Sequence, residues 1–114
     1  DDMIGLKIFT MDELYELVNA EHSAIQMEEA GFGSGWYDFV SEDYGKKVQS
    51  LGKYKEKFEK DLHETAAMVS GNFEDLIDLH VEDYETEEDY MEERRMIQEE
   101  IMGEISYCLE PYLT

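Results

Sequence analysis

The chain has 114 residues, with 30 Asp and Glu against 9 Lys and Arg and three histidines, which gives a formal net charge of −21 at pH 7. Its longest uninterrupted apolar run, Ala66 to Val69, is far too short to cross a bilayer, and its few cations are outnumbered for direct binding to nucleic-acid phosphates, so neither a membrane nor a nucleic acid is an expected partner. Leu, Ile, Val and Phe supply only 26 residues, but eight Tyr, seven Met and one Trp raise the hydrophobic fraction to 42%, enough for one folded acidic helical domain over 1–114.

Leu6 to Phe9 reads as a short strand or extended arm. Thr10 followed by Glu13 has the spacing of a capping box, and Met11, Leu14, Leu17, Val18 and Ile25 then recur at helical spacing, predicting a helix over 11–30 that ends at Gly31, Gly33 and Gly35. Trp36, Tyr37, Phe39 and Val40 make a short aromatic helix or turn at the core edge. From Lys46 to Ser70, Val48, Leu51, Tyr54, Phe58, Leu62, Thr65 and Val69 follow a three-then-four step, predicting one long helix weakened at Gly52.

Gly71 and Asn72 supply a stop and a fresh cap, after which Phe73, Leu76, Ile77, His80, Val81 and Tyr84 fall on one face of a shorter helix. Thr86 with Asp89 repeats the capping spacing, and Tyr90, Ile97, Ile101, Ile105, Cys108 and Tyr112 trace a last helix that Pro111 terminates. With no repeat and no Pro- or Ser-rich linker, the expected fold is an all-α, single-domain bundle of four to five helices with a short N-terminal strand or arm.

Charge is segregated along this chain. Residues 58–114 hold 18 acids and 3 bases, whereas six of the nine bases fall between Lys46 and Lys60. Halophilic surfaces are also acidic, but seven of the nine bases here are Lys, whose long apolar stem such surfaces avoid. The densest stretch is Glu82, Asp83, Glu85, Glu87, Glu88, Asp89, Glu92 and Glu93, eight carboxylates across twelve residues. Laid on one helix, it carries roughly one negative charge per 2 Å, close to the ~1.7 Å of duplex DNA. A solvated face or connector is the plain alternative for such a run, and Tyr84 and Tyr90 within it fall at apolar positions, where a core role competes with partner contact.

Groups that could carry chemistry are sparse. Cys108 is the only cysteine, so no internal disulfide forms; with the acidic start Asp1, Asp2, Met3, the opposite of a secretory signal's, it fits a reducing intracellular setting. His22, His63 and His80 sit on three expected helices, yet Asn19, Lys60 and Ile77 stand three positions before them, so the Glu-x-x-His pattern of di-metal bundles is missing. Glu59 and His63, one helical turn apart, have no nucleophile beside them, and the GFGSG loop over 31–35 lacks the Lys-Ser/Thr ending of a phosphate loop. No calcium-loop pattern is present either. The expectation is a non-enzymatic protein with no catalytic residue, cofactor or specific metal site, kept monomeric by self-repulsion.

The whole-chain charge, the small size and the EDYETEEDYMEE stretch from Glu82 to Glu93 resemble the small acidic phage- or plasmid-encoded proteins that imitate DNA, the Ocr-type anti-restriction proteins and acidic anti-CRISPR proteins among them. The likeness is compositional, and the basic block Lys46 to Lys60 departs from a uniformly acidic mimic. The resemblance implies an inhibitor, located in the host-cell cytoplasm, that occupies the cationic nucleic-acid-binding surface of a bacterial defence nuclease, such as a CRISPR effector or restriction enzyme. The same charge also fits an immunity protein or antitoxin that caps a basic toxin.

Overall fold

The Thr10 side chain accepts the Glu13 backbone N–H at 3.2 Å, while the Glu13 carboxylate accepts the Thr10 N–H at 2.9 Å. This reciprocal cap, worth about 1 kcal/mol, starts helix α1 at Met11–Glu29. The helix ends where Gly31, at φ +94°, lets the Phe32 N–H reach the Met27 carbonyl at 2.8 Å and its own N–H reach Glu28 at 3.0 Å. The structure, a computed structural model, describes residues 7–33 and 35–114. Leu6 of the expected arm, the start at Asp1 to Met3 and Ser34 of the glycine loop lie outside the described residues.

Trp36–Phe39 forms a single 3-10 turn against α1, and only Trp36 enters the core, with Tyr37 and Phe39 exposed. A turn this short has one inward side, so the aromatic segment is less of a core edge than its composition implies. The long helix expected from Lys46 to Ser70 is divided into α2, Glu42–Gln49, a 3-10 turn at Gly52–Tyr54, and α3, Lys55–Met68. Gly52 takes φ +60°, which glycine adopts without steric cost, and the chain turns there. The apolar step survives the turn because Val48, Leu51, Phe58 and Leu62 still reach one core.

Helix α4, Ser70–Ile77, begins one residue after α3, with the fully buried Val69 as the hinge. Gly71 and Asn72 therefore lie inside its first turn and are not the break. Because α4 stops at Ile77, His80, Val81 and Tyr84 are not on its face, and Ile77 and Val81 are left exposed. A 3-10 turn at Val81–Asp83 and a bend lead to Thr86, whose side chain accepts the Asp89 N–H at 3.1 Å and opens α5, Glu87–Cys108. Pro111 sits in a following 3-10 turn, Glu110–Tyr112, so Tyr112 lies past the last helix.

The result is an all-α bundle of five α-helices, with no strand among the described residues. The expected N-terminal strand or arm is an arm held by one parallel bridge. The Phe9 N–H donates to the Tyr112 carbonyl at 3.0 Å, and the Thr114 N–H donates to Phe9 at 2.8 Å. Helix α1 packs against α3, α5 and the 36–39 turn, while α4 packs on α5. At the closed end, Phe9 stacks on Phe58 at 5.1 Å and Tyr112 meets Phe58 edge-on at 4.8 Å, all three buried. No helix among the described residues is long and apolar enough to cross a membrane.

Candidate functional site

The eight carboxylates singled out by the sequence do not share one helix. Glu82 and Asp83 stand in the 3-10 turn, Glu85 in the bend, Glu87, Glu88 and Asp89 in the first turn of α5, and Glu92 and Glu93 in its second. All eight are exposed, and among the described residues none makes an ion pair. Tyr84 and Tyr90 are half-buried and pack edge to face at 5.9 Å, folding the bend back on the helix. Burial raises the Tyr84 phenol above its ordinary pKa, and the Glu93 and Asp83 charges raise it further, so two acids ten residues apart converge on one side chain.

Once α5 is placed, its spacing shows more acid than the initial stretch. Glu88, Glu92 and Glu99 follow one another by four and seven residues, as do Asp89, Glu93, Glu100 and Glu104. All seven are exposed, giving two neighbouring rows along the outer side of α5, with Arg95 answering Glu99 at 2.7 Å. From Glu87 to Glu104 the density is roughly one carboxylate per 3 Å, about half that of duplex DNA. The later acids, Glu99, Glu100 and Glu104, lie outside the dense 82–93 run, and only their four- and seven-residue steps mark them in the sequence.

The lysine block is spent inside the fold. Lys47 reaches Glu13 on α1 at 2.8 Å, Lys57 reaches Asp61 at 2.9 Å, Lys55 reaches Glu59 at 2.6 Å, and Lys46 approaches Glu42 at 4.0 Å. Asp61 also accepts the buried Tyr112 hydroxyl at 2.8 Å, and Glu16 accepts the Tyr44 hydroxyl at 2.7 Å. Lys53 lies over the Tyr54 ring at 5.1 Å. Lys47–Glu13 and Tyr44–Glu16 tie α2 to α1, the other three ion pairs lie one turn apart within α2 or α3, and the uncompensated charge is left at the other end of the chain.

A groove of about 370 Å³, formed by residues far apart in sequence, lies beside the acidic end. Phe73, Leu76 and Ile77 of α4 and Leu79 make its apolar wall; Tyr15 and Asn19 of α1 and Arg94 and Gln98 of α5 make the polar one. Burial raises the Tyr15 pKa, while Gln98 and Arg94 beside the phenol pull it down. Sequence spacing gave no signal for this groove, because it requires α1, α4 and α5 to meet.

The remaining chemical candidates do not assemble. His22 is buried on α1 and stacks on Phe73 at 5.2 Å, and burial holds its pKa below the ordinary value. His63 and His80 are exposed, and Glu59 is engaged by Lys55. No group of three or more His, Cys, Asp or Glu among the described residues is placed to hold a metal ion. Cys108 is half-buried, 3.8 Å from the Met68 sulfur. In comparisons with known proteins, no family model, no curated protein and no solved structure matches this chain.

Proposed function

We propose that the protein is a non-enzymatic inhibitor that sets the 82–93 carboxylates against the cationic nucleic-acid-binding surface of a bacterial defence nuclease, a CRISPR effector or restriction enzyme, in the cytoplasm of the host cell. The observation that carries this reading is the exposure of Glu82, Asp83, Glu85, Glu87, Glu88, Asp89, Glu92 and Glu93 with no ion pair among the described residues, while four lysines of the basic block are answered from within the fold. Uncompensated charge repels itself, so its free energy falls when a cationic surface covers it. The acidic rows of α5 supply an extended track, and DNA imitation is how such a track would displace nucleic acid. Net self-repulsion favours a monomer.

The second reading, an immunity protein or antitoxin capping a basic toxin, is favoured by a different observation. Three of the eight acids stand off α5 in the turn and bend, and the row density is about half that of a duplex, so the acidic surface is broader and sparser than a phosphate track.

The test compares the wild type, E85Q/E88Q/D89N/E92Q and D12N/E28Q/E29Q/D43N as immobilised baits in bacterial lysate at low salt, with bound proteins identified and then titrated singly. Each desolvated charge pair lost costs about 2 kcal/mol or more, whereas a rim pair costs far less, so the first variant should lose its partner's affinity by at least about a hundredfold. The second variant removes the same charge from exposed positions of the first half and should lose much less. Equal losses would reduce the site to general attraction, and no loss in either would remove mimicry altogether. A captured nuclease whose cleavage is blocked supports the first reading; a captured basic toxin supports the second.

A further inference from the structure

We propose that the groove between α1, α4 and α5 receives one apolar side chain of the same cationic protein that faces the 82–93 carboxylates, so that the partner's contact segment is a Lys- and Arg-rich run interrupted by a Phe- or Leu-type residue. The inference rests on the reading of residues 82–93 as a docking surface. Ile77, at the groove wall, is 65% exposed, and Val81 and Met91 nearby in the chain are 48% and 54% exposed, apolar surface that gains by being covered.

Chain continuity places the acids on both approaches to this groove. Leu79 lines it and Glu82 follows three residues later; Arg94 lines it and Glu93 precedes it directly, with Glu87 about 10 Å back along α5. Of the α5 carboxylates, Glu87, seven residues before Arg94, shares the groove-side face, so a partner that runs from the 3-10 turn at Val81–Asp83 across Glu87 passes the mouth of the groove. Exposed charge chiefly accelerates and steers encounter, whereas residence on a protein surface comes from a few buried anchors.

Arg94 sets the register. It makes no ion pair among the described residues, unlike its neighbour Arg95, and it repels the partner's own cations from the groove. The partner's Lys and Arg are directed to the flanking carboxylates, and an uncharged side chain is left to meet Phe73, Leu76 and Ile77. Asn19 stands at the exposed rim of the groove and Gln98 beside Tyr15, so neither brings a charge to the anchor.

Two labelled peptides built of Lys and Arg, identical except for one central residue, Phe in one and Ala in the other, test the proposal by fluorescence polarisation. The wild type should bind the Phe peptide about tenfold more tightly, the return for partly burying one aromatic side chain. Ile77→Ser opens the apolar wall and Asn19→Trp fills the groove, both at exposed positions, so each should erase the Phe preference while binding the Ala peptide as the wild type does. Unchanged helical circular dichroism confirms that both variants fold. E85Q/E88Q/D89N/E92Q should weaken both peptides together and leave their ratio intact. Equal affinity of the two peptides for the wild type overturns the groove assignment and leaves the acidic surface standing, as does a Phe preference that survives both groove variants. If the quadruple variant binds both peptides as tightly as the wild type, the reading of residues 82–93 falls, and the shared partner falls with it.

Discussion

Around α2 and α3, carboxylates meet lysines and phenols: Glu13 with Lys47, Asp61 with Lys57 and Tyr112, Glu59 with Lys55, Glu16 with Tyr44. At the junction of α4 and α5, eight carboxylates meet no cation among the described residues, and the side chains ordered there are aromatic, Tyr84 on Tyr90. Net charge does not distinguish the roles of these acids; their partners do. Acids at the lysine-bearing end are expected to set stability, and acids at the other end to set association.

The largest effect expected from that contrast is in the core beneath the lysine-bearing end. Phe58 is fully buried between Phe9 and Tyr112, so Phe58→Ala should cost about 3–5 kcal/mol in urea unfolding. E85Q/E88Q/D89N/E92Q, which touches exposed acids only, should stay within about 0.5 kcal/mol or gain stability as repulsion is relieved. If the acidic-end variant were the one to unfold, the division of labour would be broken.

Glu13 comes next in size, because one carboxylate both closes the α1 cap and holds Lys47. Glu13→Ala should cost about 1–2 kcal/mol, the cap supplying most of it and the partly exposed ion pair the rest. The Lys47 hydrogen bond lowers the Glu13 pKa below 4.5 against the opposing effect of burial, and the Thr10 backbone N–H lowers it further. A carboxyl depressed in the folded state stabilises it fully above its unfolded pKa and loses that contribution as pH falls through the folded value. The stability gap between wild type and Glu13→Ala in urea should therefore hold at neutral pH and narrow once pH drops below 4.5.

Both helix starts, Thr10 with Glu13 and Thr86 with Asp89, were legible in the sequence because a cap is decided within four residues. The length of a helix was less legible. The step from Val48 to Val69 runs unbroken through Gly52, whose left-handed φ of +60° turns the chain while the apolar side chains on either side keep their core. The step from Phe73 to Tyr84 outlasts its helix, since α4 ends at Ile77 and the later residues continue the pattern without sharing the face. The exposed charge of residues 82–93 follows from composition, but the groove joins Tyr15, Phe73 and Arg94 and exists only after three helices have packed.

The smallest effect separates two raised phenols. Tyr44 is pushed up to about 12, chiefly because its hydroxyl donates to Glu16 at 2.7 Å, with burial and the Glu16 charge adding to it. Tyr84 is raised first by burial and then by Glu93 and Asp83, without such a carboxylate hydrogen bond as its cause. Spectrophotometric titration should find Tyr44 ionising near 12, and Glu16→Gln should return it toward 10.0, whereas the acidic-end quadruple variant should leave it in place. A proton held more tightly in the folded state stabilises that state fully below the unfolded pKa of 10.0 and is lost as pH rises through about 12. Tyr44→Phe should accordingly cost about 0.5–1 kcal/mol at neutral pH, the net worth of one such hydrogen bond, and the gap from wild type should close in strongly alkaline solution. Added salt sharpens the contrast, because screening weakens the long-range push of Asp83 and Glu93 on Tyr84 more than a 2.7 Å hydrogen bond at Tyr44. A Tyr44 that titrates at 10.0 in the wild type would mean that the lysine-bearing end is not tied as tightly as its geometry implies.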